Sequence, residues 1–280
     1  CLTTGGAELV NLTKSQEFIK DYFTPKNPYK GMLLYHSVGT GKTCSGIATA
    51  TASFQKQGYT ILWVTRASLK QDIWKNMFEK VCHTILADNI KNGLQVDVKA
   101  KDGIRTKIKK AGIQWFEPIS YKQFANLLLK KNKFYEELKK RNGTEDILKK
   151  TLIIIDEAHK LFTEDLKAQE RPNVEIMKRL IQSSYDKSGE NSVRLLLMTA
   201  TPITEDPMSS IKLMNMLENK EQLTENYEDF KKIFCHEDGT IIDDKISTLM
   251  HKFSGKISYL NRSNDIRQFA YPIITDILCK

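Results

Sequence analysis

A loop with the residue types that bind phosphate lies at 37–43, between an apolar run and a helical pattern. Its glycines let backbone N–H groups converge on phosphate oxygens, and the helix that follows presents its positive N-terminus to them. Lys42 would neutralise the β- and γ-phosphates, and the hydroxyl of Thr43 would bind Mg²⁺. His36 stands where the usual pattern has its first glycine, and a glycine-rich turn without a ligand is the alternative. The residues predicted to hold the nucleotide are Gly39, Thr40, Gly41, Lys42 and Thr43.

An Asp-Glu pair follows a second apolar run, at 152–155. Because ligands bind outside the carboxyl ends of parallel strands, this pair and the phosphate-binding loop would open onto the same crevice. Asp156 suits Mg²⁺, usually through a coordinated water, and Glu157 is placed to orient or deprotonate the water that attacks the γ-phosphate. Taken alone, the pair fits equally well the acidic first turn of a helix. Together with the loop it predicts an ATP hydrolase with Glu157, Lys42 and Asp156 as catalytic residues.

Short apolar runs alternate with helical patterns, which is typical of a mostly parallel sheet covered by helices on both faces. Strands are predicted at 31–35, 60–64, 114–119, 152–155 and 193–198, and helices between them at 42–56, 67–81, 121–141 and 174–185. From about 206 the pattern becomes mainly helical, at 207–218, 226–235 and 244–253, and short strand-like runs follow at 257–260 and 270–275. Loops are predicted at 88–104, 163–173 and 186–192. The fold class is therefore α/β.

Three motifs, in this order, resemble motifs I, II and III of the superfamily two helicases and translocases. Within this superfamily, the sequence most resembles the DEAH-box ATPases of large cytoplasmic DNA viruses. This group includes the poxvirus early transcription factor small subunit, nucleoside triphosphate phosphohydrolase I and asfarvirus and mimivirus relatives. The resemblance covers nearly the whole chain and implies a RecA-like P-loop NTPase lobe. The three motifs are Gly39-Thr40-Gly41-Lys42-Thr43, Asp156-Glu157-Ala158-His159 and Thr199-Ala200-Thr201-Pro202.

The resemblance also implies roles for residues outside the phosphate site. The implied roles are adenine recognition by Gln16, contact with the nucleic-acid backbone by Thr65, Arg66, Ser120 and Tyr121, and coupling of the two sites by His159, Thr199 and Thr201. The alternatives are a solvated glutamine on a helix face for Gln16, ordinary strand-to-helix turns for the four backbone contacts, and a helix-capping histidine for His159.

A complete motor of this superfamily closes two RecA-like lobes on ATP, and the second lobe supplies arginine fingers. The sequence shows no second α/β lobe, and Arg262 and Arg267 lack the spacing of the arginine motif. We therefore expect an ATP-binding lobe at 1–205 and a mainly helical extension at 206–280 that leads toward an absent second lobe. The isolated chain is expected to be weakly active.

The net charge of +9 is concentrated in one segment. Residues 99–150 hold 15 Lys and Arg against 6 Asp and Glu, so they carry the whole imbalance, and aromatic residues interleave with the cations. This mixture fits sequence-independent binding of nucleic acid. A solvated lysine-rich helix face is the alternative, since Phe124, Leu127, Leu128 and Leu138 recur at the spacing of a buried helix face.

Five scattered cysteines and no C-x-x-C pair argue against a disulfide framework or a zinc ribbon and favour a reducing compartment. No apolar stretch is long enough to span a membrane. We expect a location in the host cytoplasm, a viral factory or a virion, and no secretion.

The sequence thus predicts the ATP-binding lobe of a nucleic-acid-dependent ATPase, helicase or translocase that uses ATP and Mg²⁺, in viral transcription or DNA processing. Its expected partners are nucleic acid, DNA in preference to RNA, and a viral RNA polymerase or transcription factor subunit. One alternative is a nucleotide-binding structural or docking subunit of a viral transcription complex. The other is a cellular or restriction-type translocase of the same superfamily.

Overall fold

The structure, a computed structural model, describes residues 9–78, 80–91, 115–163, 166–168, 170–202, 206, 208–218 and 222–261. Its strands are β1 (Gly31–His36), β2 (Thr60–Thr65), β3 (Ile119–Ser120), β4 (Thr151–Asp156), β5 (Arg194–Thr199) and β6 (Ile257–Leu260). The α-helices of the described residues are α1 (Lys14–Tyr22), α2 (Lys42–Thr49), α3 (Lys70–Phe78), α4 (Thr84–Lys91), α5 (Tyr121–Leu128), α6 (Lys133–Asn142), α7 (Val174–Ser188), α8 (Ser209–Met216), α9 (Tyr227–Phe234) and α10 (Asp243–Phe253).

The six strands form one sheet in the order β3-β2-β4-β5-β1-β6, and every pair is parallel. Strands β2, β4 and β5 are buried along their whole length. Successive residues of a strand pack into different clusters: Leu33 and Ile153 belong to one core, Leu34 and Ile154 to the other. Helices therefore cover both faces of the sheet, and the predicted α/β class with a parallel sheet is confirmed.

Four predicted elements differ from the structure. The first is the loop at 186–192, where the helix continues to Ser188 and a 3-10 turn follows at Gly189–Asn191. In the run at 114–119 only Ile119 enters a named strand, because Pro118 has no N–H for a ladder, and Trp115 forms a single bridge with Ile61. The predicted helix at 121–141 is two helices. The break lies where Lys130 takes a positive φ of 60° and Asn132 caps the second helix. The loop predicted from residue 88 was wrong over its first residues, since α4 continues to Lys91.

The chain after residue 206 contributes to both the core and the sheet. Leu213, Met214 and Leu217 pack into the same cluster as Leu33 and Ile153. The run at 257–260 is confirmed as β6, which hydrogen-bonds beside β1. The run at 270–275 lies outside the described residues, and the division at residue 205 stays a prediction.

A disulfide joins Cys44 in α2 to Cys82 just before α4, with Cα atoms 5.4 Å apart. The sequence does not predict this bridge, because its scattered cysteines argue against a disulfide framework. The two cysteines are 38 residues apart in the chain, and only the packing of the helices brings them together. Among the described cysteines Cys235 is free. In the part of the chain that is described, every helix is too short or too polar to cross a membrane.

Candidate active site

The phosphate-binding loop connects the carboxyl end of β1 to the first turn of α2. Gly39 and Gly41 both lie in the left-handed region, with φ of 79° and 78°, which favours glycine. A Cβ on Gly39 would meet no atom within 4 Å, so this part of the loop faces open space. The helix begins at Lys42, directly after Gly41 at its N-cap. The loop therefore exposes backbone N–H groups and the positive end of α2 in one place.

The Lys42 side chain folds back over the loop. Its Nζ donates to the carbonyl oxygens of His36, at 2.9 Å, and Ser37, at 3.2 Å. Burial lowers the pKa of the Lys42 ammonium, while the nearby carboxylates of Glu157 and Asp156 oppose that shift. The ammonium is thus a desolvated cation held by neutral carbonyls, between the loop and the acid pair. Anionic phosphate oxygens are stronger acceptors for such a donor than carbonyl oxygens.

Gln16 lies against this loop from α1. Its Oε1 accepts from the backbone N–H of Thr13 at 2.8 Å, and its Nε2 donates to the carbonyl oxygen of Gly41 at 3.2 Å. The residue is 6% exposed, so the alternative of a solvated glutamine does not apply. A Cβ on Gly41 would collide with the Gln16 amide, which is a second reason for glycine there. Recognition of adenine by Gln16 stays a prediction.

The acid pair stands at the carboxyl end of β4. Asp156 ends the strand, and Oδ2 of its carboxylate accepts from Oγ1 of Thr65 at 3.2 Å. Burial, and then the charge of Glu157, raise the pKa of Asp156 to about 6. Glu157 follows in the left-handed conformation, with φ 54° and ψ 50°, and its side chain caps no helix. The pair is therefore not the side-chain cap that the alternative interpretation requires.

Tyr121, the first residue of α5, supports the backbone at the acid pair. Its hydroxyl donates to the carbonyl oxygens of Asp156, at 2.6 Å, and Glu157, at 3.0 Å. The residue is 2% exposed, and burial is the first cause that raises the pKa of its hydroxyl. These two bonds hold the backbone where it turns into the left-handed residue.

The three residues predicted to couple the sites form a connected group. Nδ1 of His159 lies 2.8 Å from Oγ1 of Thr199 and 3.4 Å from Oε2 of Glu157. Oγ1 of Thr199 also accepts from the backbone N–H of Thr201 at 3.0 Å. Because β5 lies between β4 and β1, Thr199 stands at the strand end between the acid pair and the phosphate-binding loop. The contacts run from Glu157 to the segment that follows β5.

The four residues predicted to contact nucleic acid differ in their environment. Thr65 and Tyr121 are buried and bonded to the acid corner, whereas Arg66 is exposed just after β2. Ser120 caps α5, where its hydroxyl accepts from the backbone N–H of Gln123 at 3.2 Å. The nucleic-acid role stays a prediction for all four, and Arg66 is the one whose charge reaches solvent.

Most aromatic residues of the basic segment belong to the core, and Tyr135 is partly buried against it. Trp115, Phe116, Phe124 and Phe134 are all at most 6% exposed, which leaves them no face for stacking with bases. The described cations Lys130, Lys131 and Lys133 are exposed beside them. The cations at 99–110 lie outside the described residues.

Sequence reasoning missed the supporting side chains. Thr65 and Tyr121 carry no pattern that points to the acid pair, since the strands that bring them there are far apart in the chain. His36 gave a signal, because it departs from the usual loop. Its ring Nε2 lies 2.9 Å from the hydroxyl of Ser258, so it ties the loop to β6.

The residues present fit a nucleotide with a divalent cation. Mg²⁺ prefers oxygen ligands, and the Thr43 hydroxyl and Asp156 carboxylate supply them. Asp156 is buried beside a second carboxylate, so a nearby dication would favour its ionised form. The glycine loop and Lys42 supply donors for phosphate oxygens.

An all-parallel sheet with a phosphate-binding loop and an acid pair at the same edge defines a P-loop ATPase lobe. A family model described as type III restriction enzyme, res subunit (ResIII), matches residues 9–204. The chain belongs to this family.

Named relatives agree with this assignment. A protein of Acanthamoeba polyphaga mimivirus that is named as an ATP-dependent RNA helicase is 30% identical over 215 residues, covering 74% of this chain and 33% of that protein. The termination factor NPH-I homolog of African swine fever virus is 22% identical over 245 residues, 85% of this chain and 29% of that protein. The resemblance to viral superfamily two helicases is confirmed. The chain spans about a third or less of these relatives' length.

The fold has a solved counterpart. The SWI2/SNF2 ATPase core of Sulfolobus solfataricus in complex with dsDNA aligns with a TM-score of 0.52 at 18% identity, over 95% of this chain and 47% of that one. This likeness confirms the RecA-like fold.

Proposed function

We propose that this chain is the ATP-binding and ATP-hydrolysing lobe of a nucleic-acid-dependent ATPase, a helicase or translocase. The observation that carries the proposal is the shared edge of the sheet. The loop after β1 leads to Lys42, and Asp156 is the last residue of β4, followed by Glu157. Thr199 is the last residue of β5, the strand between β1 and β4. Both carboxylates act on the Lys42 ammonium, so cation and anions lie within one electrostatic environment.

In the proposed reaction, the loop N–H groups and Lys42 bind the phosphates in place of the carbonyl oxygens that Lys42 now contacts. Glu157 orients a water toward the γ-phosphate and accepts its proton, which yields ADP and phosphate. Thr43 and Asp156 would hold Mg²⁺, which neutralises phosphate charge when it is bound. His159 and Thr199 transmit the state of Glu157 to Thr201 and the segment beyond β5.

Nucleic acid is the proposed activator, and we favour DNA. The solved core of similar fold is bound to double-stranded DNA, while the mimivirus relative is named as an RNA helicase. Arg66, exposed at the end of β2, is the proposed contact to a phosphate of the backbone. By the same likeness to viral relatives, we assign the longer protein to viral transcription in the host cytoplasm, a viral factory or a virion. A viral polymerase or transcription factor subunit is its proposed partner.

The test separates nucleotide binding from hydrolysis. Lys42→Ala should weaken Mg·ATP binding in calorimetry by about tenfold or more, since a charge-assisted contact to phosphate is lost. Glu157→Gln should keep binding and abolish phosphate release, whereas Glu145→Gln, on an exposed segment, should change neither. If the wild-type chain binds ATP but releases phosphate no faster than Glu157→Gln, the hydrolase is wrong and the docking-subunit alternative stands.

A further inference from the structure

A cavity of about 520 Å³ lies at the end of the sheet opposite the active site. Four adjacent strands begin around it: Lys30, Tyr59 and Lys150 directly precede β1, β2 and β4, and Arg194 is the first residue of β5. Each of these strands has six residues, so the cavity lies roughly 20 Å from the phosphate-binding loop. The two sites are therefore separate.

The lining of this cavity is strongly basic. Lys26, Lys30, Lys150 and Arg194 face a single carboxylate, that of Glu190. Across the described chain, no carboxylate lies within ion-pair distance of any of these four cations. The cavity therefore concentrates positive charge that the protein itself leaves unpaired.

Arg194 is the most buried of the four cations, at 3% exposed. Its hydrogen-bond acceptors are all neutral backbone carbonyl oxygens, and within the described part of the chain its Nε is buried without a partner. Carbonyl dipoles therefore surround the guanidinium, and no carboxylate of the described chain lies within ion-pair distance of it. The acceptors are the carbonyl oxygens of Asn27 at 3.2 Å, Tyr29 at 2.8 Å, Pro25 at 2.8 Å and Glu190 at 3.3 Å.

The charge of Arg194 acts on the ammonium of Lys30. Burial lowers the pKa of the Lys30 ammonium, and the charge of Arg194 lowers it further, with Glu190 opposing. The Lys30 ammonium donates to the carbonyl oxygen of Gly189, again a neutral acceptor. Arg194 is buried, Lys30 and Lys150 are half-buried and Lys26 is exposed. Like charges gathered around one cavity repel one another unless an anion compensates them, so the cavity is suited to an anion.

We propose that this cavity binds a small phosphate-bearing anion with two or more negative charges. Four cations around one site suit a compact polyvalent anion, and charge-assisted hydrogen bonds to phosphate are strong. The volume lies within the range of small-molecule sites, about 300–1,000 Å³, so a diphosphate group has room. The site is independent of the proposed ATPase, because it shares no residue with it.

Pyrophosphate is the probe, titrated by calorimetry into the full 280-residue chain carrying Lys42→Ala, which weakens phosphate binding at the active site. We expect saturable binding at one site. Lys30→Gln and Lys150→Gln, each added to Lys42→Ala, should weaken it by about tenfold, because each removes one of four cations. Lys140→Gln, exposed on α6, should leave it unchanged. Arg194 is left intact, since it ties the segment 25–29 to β5.

Circular dichroism establishes that each variant is folded. The proposal is overturned if pyrophosphate shows no saturable binding. It is equally overturned if folded Lys30→Gln and Lys150→Gln bind pyrophosphate as the Lys42→Ala chain does, because the ligand would then lie elsewhere.

Discussion

At the residue scale, Glu157 shows how the chain places a carboxylate at a cost. A non-glycine residue in the left-handed region is strained by about 1–3 kcal/mol and persists where its surroundings hold it. Here Tyr121 donates to the carbonyl oxygens of Asp156 and Glu157, which lie in the peptide groups before and after the Glu157 Cα. The tyrosine is therefore a positioning residue for the carboxylate.

Tyr121→Phe tests that role, since it keeps the ring and removes both hydrogen bonds. We expect the free energy of unfolding to fall by about 1–3 kcal/mol, because the buried carbonyl oxygen of Asp156 loses the tyrosine donor. The carbonyl oxygen of Glu157 still accepts from the backbone N–H of Lys160 at 2.9 Å. The kcat for ATP should fall several-fold with KM nearly unchanged. The measurements are urea unfolding and steady-state phosphate release.

Tyr59→Phe is the matched control. Tyr59 is equally buried and donates to one carbonyl oxygen, that of Glu190 at 3.4 Å, at the opposite end of the sheet. Tyr59→Phe should lower the free energy of unfolding and leave kcat unchanged. Equal kcat values for the two variants would mean that Tyr121 only contributes to the core.

At the element scale, the segment between α3 and α4 is fixed to the helical stretch after α2 by a buried histidine. Nε2 of His83 lies 3.1 Å from Oε1 of Gln55, and its Nδ1 accepts from the backbone N–H of Leu86 at 3.3 Å. Burial lowers the pKa of His83 to about 4, from 6.5 in an exposed histidine. A proton on Nδ1 would face another N–H, so the folded state keeps the ring neutral.

We expect this histidine to make stability depend on pH. The unfolded chain binds the His83 proton more tightly than the folded protein, so the contribution of His83 to stability should fall as the pH drops from about 6.5 toward about 4 and be flat above 6.5. Asp156, whose pKa is raised to about 6, acts in the opposite direction over the same range, so the contribution of His83 is read as the difference between wild type and His83→Gln. The loss approaches about 3 kcal/mol at the lower limit. Urea unfolding between these pH values measures it. His83→Gln should remove this loss, so that its stability relative to wild type rises as the pH drops, and His251→Gln, exposed on α10, should follow the wild-type curve. A wild-type curve that His83→Gln leaves unchanged would contradict the assignment.

The disulfide between Cys44 and Cys82 reinforces the same contact. Closing a loop of this length stabilises a protein by roughly 4 kcal/mol in the chain-entropy model. Reductant should therefore lower the Tm of the wild-type chain, and Cys82→Ser should lower it in the absence of reductant. Cys235→Ser, at the free cysteine, should behave as wild type. A Tm that reductant does not change would mean that the cysteines are unpaired in solution.

These elements also show what the sequence could predict. Buried parallel strands have continuous apolar runs, so the predicted bounds of β1, β2, β4 and β5 agree with the structure to within a residue or two at each end. The edge strand β6, which is only partly buried, has a short apolar run and agrees as well. The phosphate-binding loop and acid pair were local motifs, and their shared edge followed from the parallel sheet. The contacts of Tyr121, Thr65 and His83, and the disulfide, join positions distant in the chain. No local pattern records such contacts, so only the packed structure reveals them.

At the scale of the whole molecule, the two ends of the sheet have different chemistry. The carboxyl end brings together Lys42 and the acid pair, and the amino end gathers unpaired cations around the cavity at Arg194. This difference follows from the topology, because a parallel sheet places all carboxyl ends of its strands at one edge and all amino ends at the opposite edge. A ligand at one end can therefore act on the other only through the strands or the helices that cover them.

Hydrolysis by the chain alone is expected to be slow and insensitive to nucleic acid. The chain spans 33% of its mimivirus relative, and motors of this superfamily complete the site with arginines from a second lobe, worth about 10³–10⁵ in rate. Phosphate release should therefore stay at least about 10³-fold below the enzyme median of about 10 s⁻¹, with or without DNA or RNA. Glu157→Gln serves as the blank that defines zero hydrolysis. Turnover near that median, stimulated by DNA and abolished in Glu157→Gln, would show that this lobe needs no second one, and that its own residues stabilise the transition state.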